Sequence, residues 1–128
     1  MSQSNVIRGK AFWKLDESEK RHLYFVLSEP NMDNIVLVVN ATDVLNVPAC
    51  HDKSCVLDIG EHRAITKKSV VYYRVSKEFR ASEILLELSK KELILEVDLS
   101  TPTLLKIQNG AKNSKLLPKK LRKYFEKF

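Results

Sequence analysis

Short apolar runs separated by polar turns dominate the chain. Residues 23–27 (LYFVL) and 35–39 (IVLVV) are continuously apolar, β-branched or aromatic, and flanked by the turn formers Pro30, Asn31, Asp33 and Asn34. Runs of that length and composition predict two buried strands joined as an antiparallel hairpin. Residues 10–14 (KAFWK) read as a strand before them, and 54–59 (SCVLDI) as one after them, stopped by Gly60. Residues 69–75 (SVVYYRV) carry the side chains that suit a pleated surface. Over 82–91 the pattern is ambiguous: Ile84, Leu85 and Leu88 have helical spacing, with Ser82 as a candidate N-cap. Leu93, Leu95, Val97 and Leu99 then alternate with Ile94, Glu96 and Asp98, which predicts a last strand.

Helical signals gather at the C-terminal end. Thr101 and Pro102 read as an N-cap and first helical position, with Gly110 as the stop. Pro118 opens a final helix whose apolar residues Leu117, Leu121, Tyr124, Phe125 and Phe128 lie on one continuous face. The order of elements predicts an α+β protein: a small, strongly bent antiparallel sheet or β-barrel with C-terminal helices. One domain is expected over 1–128, mainly β over 9–99 and helical and basic over 101–128.

Composition supports a folded chain. Of 128 residues, 44% are apolar, enough for a core without disulfides or metal. With 30% charged and 8% aromatic residues the chain is not a disordered polymer. No apolar run approaches the ~20 residues that span a bilayer. The start, MSQSNVIRGK, has no apolar segment behind a basic one. These features give the expectation of a cytoplasmic protein without a membrane partner.

Charge is unevenly placed. Residues 106–127 hold eight Lys and Arg against Glu126 alone, a net of +7 within a total of +6. The body therefore carries −1, and the basic character belongs to the tail. Lys119, Lys120, Arg122 and Lys123 cover the side of the last helix opposite its apolar stripe. That arrangement suits attraction to phosphates or a solvated outer face on a docked helix. Leu117, Leu121, Tyr124, Phe125 and Phe128 are then candidate anchors for a protein partner or a homodimer.

Three clusters hold candidate chemistry. Cys50, His51, Asp52, Cys55 and His62 are metal-ligand types, but their spacing matches no common zinc pattern, so neither metal nor other cofactor is assigned. Gly60-Glu61-His62-Arg63, followed by Lys67 and Lys68, combines a sharp turn, a proton carrier and phosphate-holding cations. Its alternative is a His that pins the turn by hydrogen bonding. Arg21-His22 opens one strand of the hairpin and Asn40-Ala41-Thr42-Asp43 closes the other, so antiparallel pairing gathers them at one edge of the sheet. A guanidinium and a hydroxyl there can grip a phosphate. No P-loop, dinucleotide-binding, serine-hydrolase or zinc-protease motif occurs.

The order of three of these pieces resembles the PemK/MazF-type toxins over roughly residues 9–75: a strand near 9–13, then KRHLYFVLS (20–28), then IVLVVNAT (35–42). Lys10 stands where that family has Asp, His22 where it has Pro, and Asn40-Ala41 where it has Pro-Ile. The resemblance implies an SH3-like barrel, generally dimeric, that cleaves single-stranded RNA without metal and is blocked by an antitoxin-like partner. Arg21 and Thr42 match its active-site positions, with Arg21 set to stabilise charge at phosphorus and Thr42 to position the phosphate. His62 or His22 is then the candidate general base or acid. Arg63, Lys67, Lys68 and the tail cations are the candidate RNA contacts. The expectation is an RNA-binding protein or metal-independent endoribonuclease of a toxin–antitoxin or phage-conflict system. Its alternative is a non-catalytic module acting through the C-terminal helix.

Overall fold

The structure, a computed structural model, describes residues 8–15, 18–46 and 53–127. Seven strands form one antiparallel sheet: β1 (Ala11–Leu15), β2 (Arg21–Val26), β3 (Ile35–Asp43), β4 (Val56–Leu57), β5 (Ser69–Val71), β6 (Lys77–Arg80) and β7 (Leu93–Glu96). Helix α1 (Ala81–Ser89) lies between β6 and β7, and α2 (Thr101–Asn113) follows β7. The strand order is β4-β5-β3-β2-β1-β7, with β6 on β3 as well.

The two apolar runs become β2 and β3 and pair as a hairpin, from Leu23↔Ala41 to Val26↔Val38. Its turn is built by Asn31, whose Oδ1 accepts from the backbone N–H of Asp33 and Ile35, both at 2.9 Å. Both runs are apolar at every position because both sheet faces are covered. Leu23, Phe25, Leu37 and Val39 enter one core with Leu57, Tyr73, Ile107 and Leu121. Tyr24, Val26, Val36 and Val38 enter a second with Phe12, Ala81, Ile84 and Leu93. Alternation along a strand sends successive side chains to opposite faces, α2 and the C-terminal segment covering one and α1 the other.

This double cover also decides between sheet and barrel. The α+β class holds, with a strongly bent sheet that does not close. A barrel is the solution for a sheet that buries one face against itself. Here helices bury both faces, and the end strand β4 has only two residues, so the SH3-like barrel is replaced by an open sheet.

The bend is centred on β3. Its edge opposite β2 is shared by β5 (Ala41↔Val71 to Asp43↔Ser69) and β6 (Ile35↔Arg80 to Val38↔Lys77). Between these stands the 3-10 turn Tyr73–Val75, so the predicted strand 69–75 is a strand broken by a turn. Strand β6, KEFR, has no apolar signature and was not expected. In α2 the cap is Ser100, whose Oγ accepts from Thr103 N at 3.4 Å, one residue earlier than expected. Gly110 is not the stop. It lies inside α2, where the backbone comes close to Tyr73, Cys55 and Ser54.

The C-terminal segment forms a 3-10 helix, Lys119–Lys127, after Pro118. Three residues per turn put Leu121 and Tyr124 on one side, and both, with Leu117, are buried in the domain's own core. Phe125 packs partly against it, and Phe128 lies outside the described residues. Of the two readings, the docked helix is the one seen for Leu117, Leu121 and Tyr124, and the segment is 3-10 in form. Arg122 Nη1 and Nη2 donate to the carbonyls of Lys112 and Ser114, capping the end of α2.

Two carboxylates tie the outer layers to the sheet. Lys106 Nζ donates to both oxygens of Glu61 at 2.8 Å, which holds that carboxyl below the usual range. Tyr124 Oη donates to Glu78 Oε2 at 2.6 Å and, with Lys123 at 3.5 Å, lowers that one too. Burial first, and then the Glu78 carboxylate, push the Tyr124 hydroxyl up. A lowered carboxyl adds stability that is full above its unfolded value, about 4.3 for Glu, and is lost as pH falls through the folded value. Acid titration of thermal stability is thus expected to fall below pH ~5, and less steeply in the Glu61→Gln/Glu78→Gln double variant. Equal acid limbs would refute these two pairs as the source.

Candidate functional site

The β2–β3 ladder ends at Leu23↔Ala41, but neither strand ends there. Strand β2 runs on with β1 to Arg21↔Leu15, and β3 runs on with β5 to Asp43↔Ser69. The sheet forks, and a cavity of about 950 Å³ lies in the fork. Its walls are the splayed strand ends, residues 64–67 of the β4–β5 loop, and the Tyr72–Lys77 segment. Because the fork opens across the sheet, residues of both alternation classes reach it.

Arg21, His22 and Thr42 all line this cavity, with Lys67 and Asp43. Hairpin pairing is what unites positions 21–22 with 42–43. Lys20 and Lys77 also line it, so among the described lining residues four cations face one carboxylate, that of Asp43. A body of net −1 therefore contains a site whose described lining residues sum to +3.

Aromatic side chains lie beneath two of these cations. The Arg21 guanidinium stands over the Trp13 ring, 5.5 Å from its centroid, and Lys77 Nζ over Tyr24 at 5.9 Å. Trp13 is oriented by its indole N–H, which donates to Glu96 Oε2 at 3.1 Å. Tyr72 completes the aromatic lining. Lys67 Nζ stands 3.8 Å from Asp43. Asn40 Nδ2 donates to Thr42 Oγ1 at 3.1 Å, which holds the hydroxyl at the rim. Trp13, Tyr24 and Lys77 carry no motif. The register Trp13↔Leu23 could have signalled the first, whereas Lys77 depends on the unanticipated β6.

His62 is elsewhere. It is 5% exposed, with Nε2 donating to the Val97 carbonyl at 2.7 Å and Nδ1 accepting from Ala64 N at 3.0 Å. Its ring meets Phe25 edge-on at 5.6 Å. Both nitrogens are used, so the catalytic assignment of His62 is corrected: it pins the turn. Gly60, with φ +98°, makes that turn, and Glu61 N closes it on Asp58 O at 3.1 Å. His62→Ala is expected to cost about 1–2 kcal/mol in chemical denaturation. Unchanged stability would remove this structural role.

Other candidates also leave the cavity. Arg63 pairs with Glu96 at 3.7 Å, and neither it nor Lys68 lines the fork. Lys119, Lys120 and Lys123 are exposed on the C-terminal segment, away from the cavity lining. Cys50, His51 and Asp52 lie outside the described residues, among which no metal-holding cluster forms. Cys55 is buried in the core, a small apolar contact beside Gly110. Among the described residues no helix is long and apolar enough to cross a membrane. In comparison with known proteins, no family model, no curated protein and no solved structure matches this chain, so its own residues carry any assignment of function.

Proposed function

We propose that the forked cavity binds single-stranded RNA. The observation that carries this reading is the combination, among the described residues of one cavity, of four cations, one carboxylate and three aromatic rings. Phosphates need the cations, and unpaired bases need flat surfaces on which to stack. A guanidinium seated on an indole offers both: charge at its edge and a second planar face outward. The resemblance of residues 20–28 and 35–42 to the PemK/MazF toxins points to the same substrate and the same two residues, Arg21 and Thr42.

Cleavage is a second reading, favoured by His22 lying on this cavity with Arg21 and Thr42. In it, His22 takes the proton of a ribose 2′-hydroxyl and the 2′-oxygen attacks the adjacent phosphorus. The P–O5′ bond to the next nucleotide breaks and the 5′-oxygen takes a proton from water, giving a 2′,3′-cyclic phosphate and a 5′-hydroxyl. Arg21 neutralises the extra charge at phosphorus, and Thr42 holds a non-bridging oxygen.

Binding of a labelled single-stranded RNA across a salt series tests the first reading. With three to four phosphates neutralised, log K is expected to fall with log salt at a slope of about −2 to −3. No retention at 50 mM salt would refute it. Incubation in EDTA tests the second: cyclic-phosphate ends that vanish in His22→Ala support it, and intact RNA refutes it while leaving binding in place.

A further inference from the structure

Among the described residues, one buried side-chain polar atom has no hydrogen-bond partner: Oδ1 of Asn40. Asn40 is 5% exposed and lines the forked cavity. It sits one rung before the fork, across the ladder from Tyr24. Its other polar groups are in use. Nδ2 donates to Thr42 Oγ1, and the backbone carbonyl accepts from Tyr72 N at 2.9 Å. Folded chains pair nearly all their buried polar groups, so an orphan on the wall of a basic cavity asks for an explanation. A partner arriving from outside supplies one.

The chemistry of the orphan defines that partner. A carbonyl oxygen only accepts, and phosphates at neutral pH offer no donor. Nδ2 gives one of its two hydrogens to Thr42, so the group left without any partner is the acceptor Oδ1. It presents a single acceptor. Exocyclic amino groups of adenine or cytosine satisfy it. The only ring donor of uracil, N3–H, is flanked by two carbonyl oxygens that repel an approaching acceptor.

We infer that Asn40 is the base-reading residue of the cavity, its Oδ1 accepting a hydrogen bond from a base that bears an exocyclic amino group. The inference rests on the proposed binding of single-stranded RNA and names which bases that site prefers. The terminal torsion of an Asn side chain is soft, so a rotation that loosens the Nδ2–Thr42 bond turns the buried Oδ1 toward the ligand. Arg21 and Lys77 hold the chain, while Asn40 selects among bases.

The test is equilibrium binding of labelled twelve-nucleotide poly-A, poly-C and poly-U RNA to wild type and to Asn40→Ala. Wild type is expected to hold the A and C oligomers about 3- to 10-fold tighter than the U oligomer, as one buried neutral hydrogen bond allows. In Asn40→Ala the three affinities should become equal, the A and C oligomers losing more than the U oligomer. Asn40→Val, which suits a strand and carries no acceptor, should lose discrimination in the same way and guards against misfolding of the first variant. Equal wild-type affinity for all three, or an equal loss for all three in both variants, overturns the role of Asn40 and leaves RNA binding standing. Failure of wild type to hold any of them overturns RNA binding and the inference together.

Discussion

Gly110→Val is expected to cost about 3 kcal/mol or more, and Gly110→Ala about 1–3 kcal/mol, in urea denaturation. Helix propensity alone predicts the reverse for alanine, a gain of about 1 kcal/mol inside α2. Packing decides the sign. A Cβ at this position would press into the Tyr73 hydroxyl and stand 2.8 Å from Cys55 Cβ and 3.0 Å from the Ser54 carbonyl oxygen. Tyr73 is fully buried, and its hydroxyl donates to the Ile107 carbonyl at 2.7 Å. It cannot swing away without breaking that bond, and Cys55 and Ser54 can yield only through their backbone. The strain is thus shared between a side chain and a strand edge. In a Tyr73→Phe background the first of these contacts is gone, so Gly110→Ala should cost less there, with a coupling energy of about 0.5–1.5 kcal/mol. A Gly110→Ala protein as stable as wild type would show that α2 does not rest on the sheet through Gly110.

Arg21→Ala is expected to lower affinity for single-stranded RNA about 10- to 100-fold at 100 mM salt. A hydrogen bond to a charged group contributes about 1.5–3 kcal/mol, and Arg21 also supplies a stacking plane. Its side chain is exposed at the strand end and packs on one face of Trp13, so unfolding is not expected. The salt slope should shrink by about 0.7, one phosphate contact on a single strand. Arg21→Lys should restore the slope but not the full affinity, because an ammonium does not stack. An Arg21→Ala protein with wild-type affinity and slope would move the binding site away from the fork.

Most element positions were legible because burial patterns are local. The runs at 23–27 and 35–39 favoured buried strands, and the hairpin between them already implied that 21–22 and 42–43 share one end, where they line the forked cavity. Residues 82–91, ambiguous by pattern, lie largely in α1, in keeping with the helical spacing of Ile84, Leu85 and Leu88. Gly60 was correctly placed as a turn after a strand, since its φ of +98° is open chiefly to glycine. What could not be read were features set by distant partners. Strand β6 forms because β3 has a free edge at 35–38, not because KEFR prefers extension. His62 is a structural residue because Val97, 35 positions away, lies against its ring.

The tail shows the division clearly. Its +7 charge and its apolar stripe are properties of the sequence, but which surface the stripe meets is not. Tertiary structure places Leu117, Leu121 and Tyr124 in the core, since the sheet face they cover would otherwise stay wet. The same holds for the body. The order of residues alone dictated a chain of short buried strands, a near-neutral body and a common hairpin end for Arg21 and Thr42. Only tertiary structure decided that the sheet stays open, that it forks beyond Leu23 and Ala41, and that four cations converge there. The physical reason is that periodicity records which faces are buried, whereas edges, forks and cavities arise from which strands run out of partners.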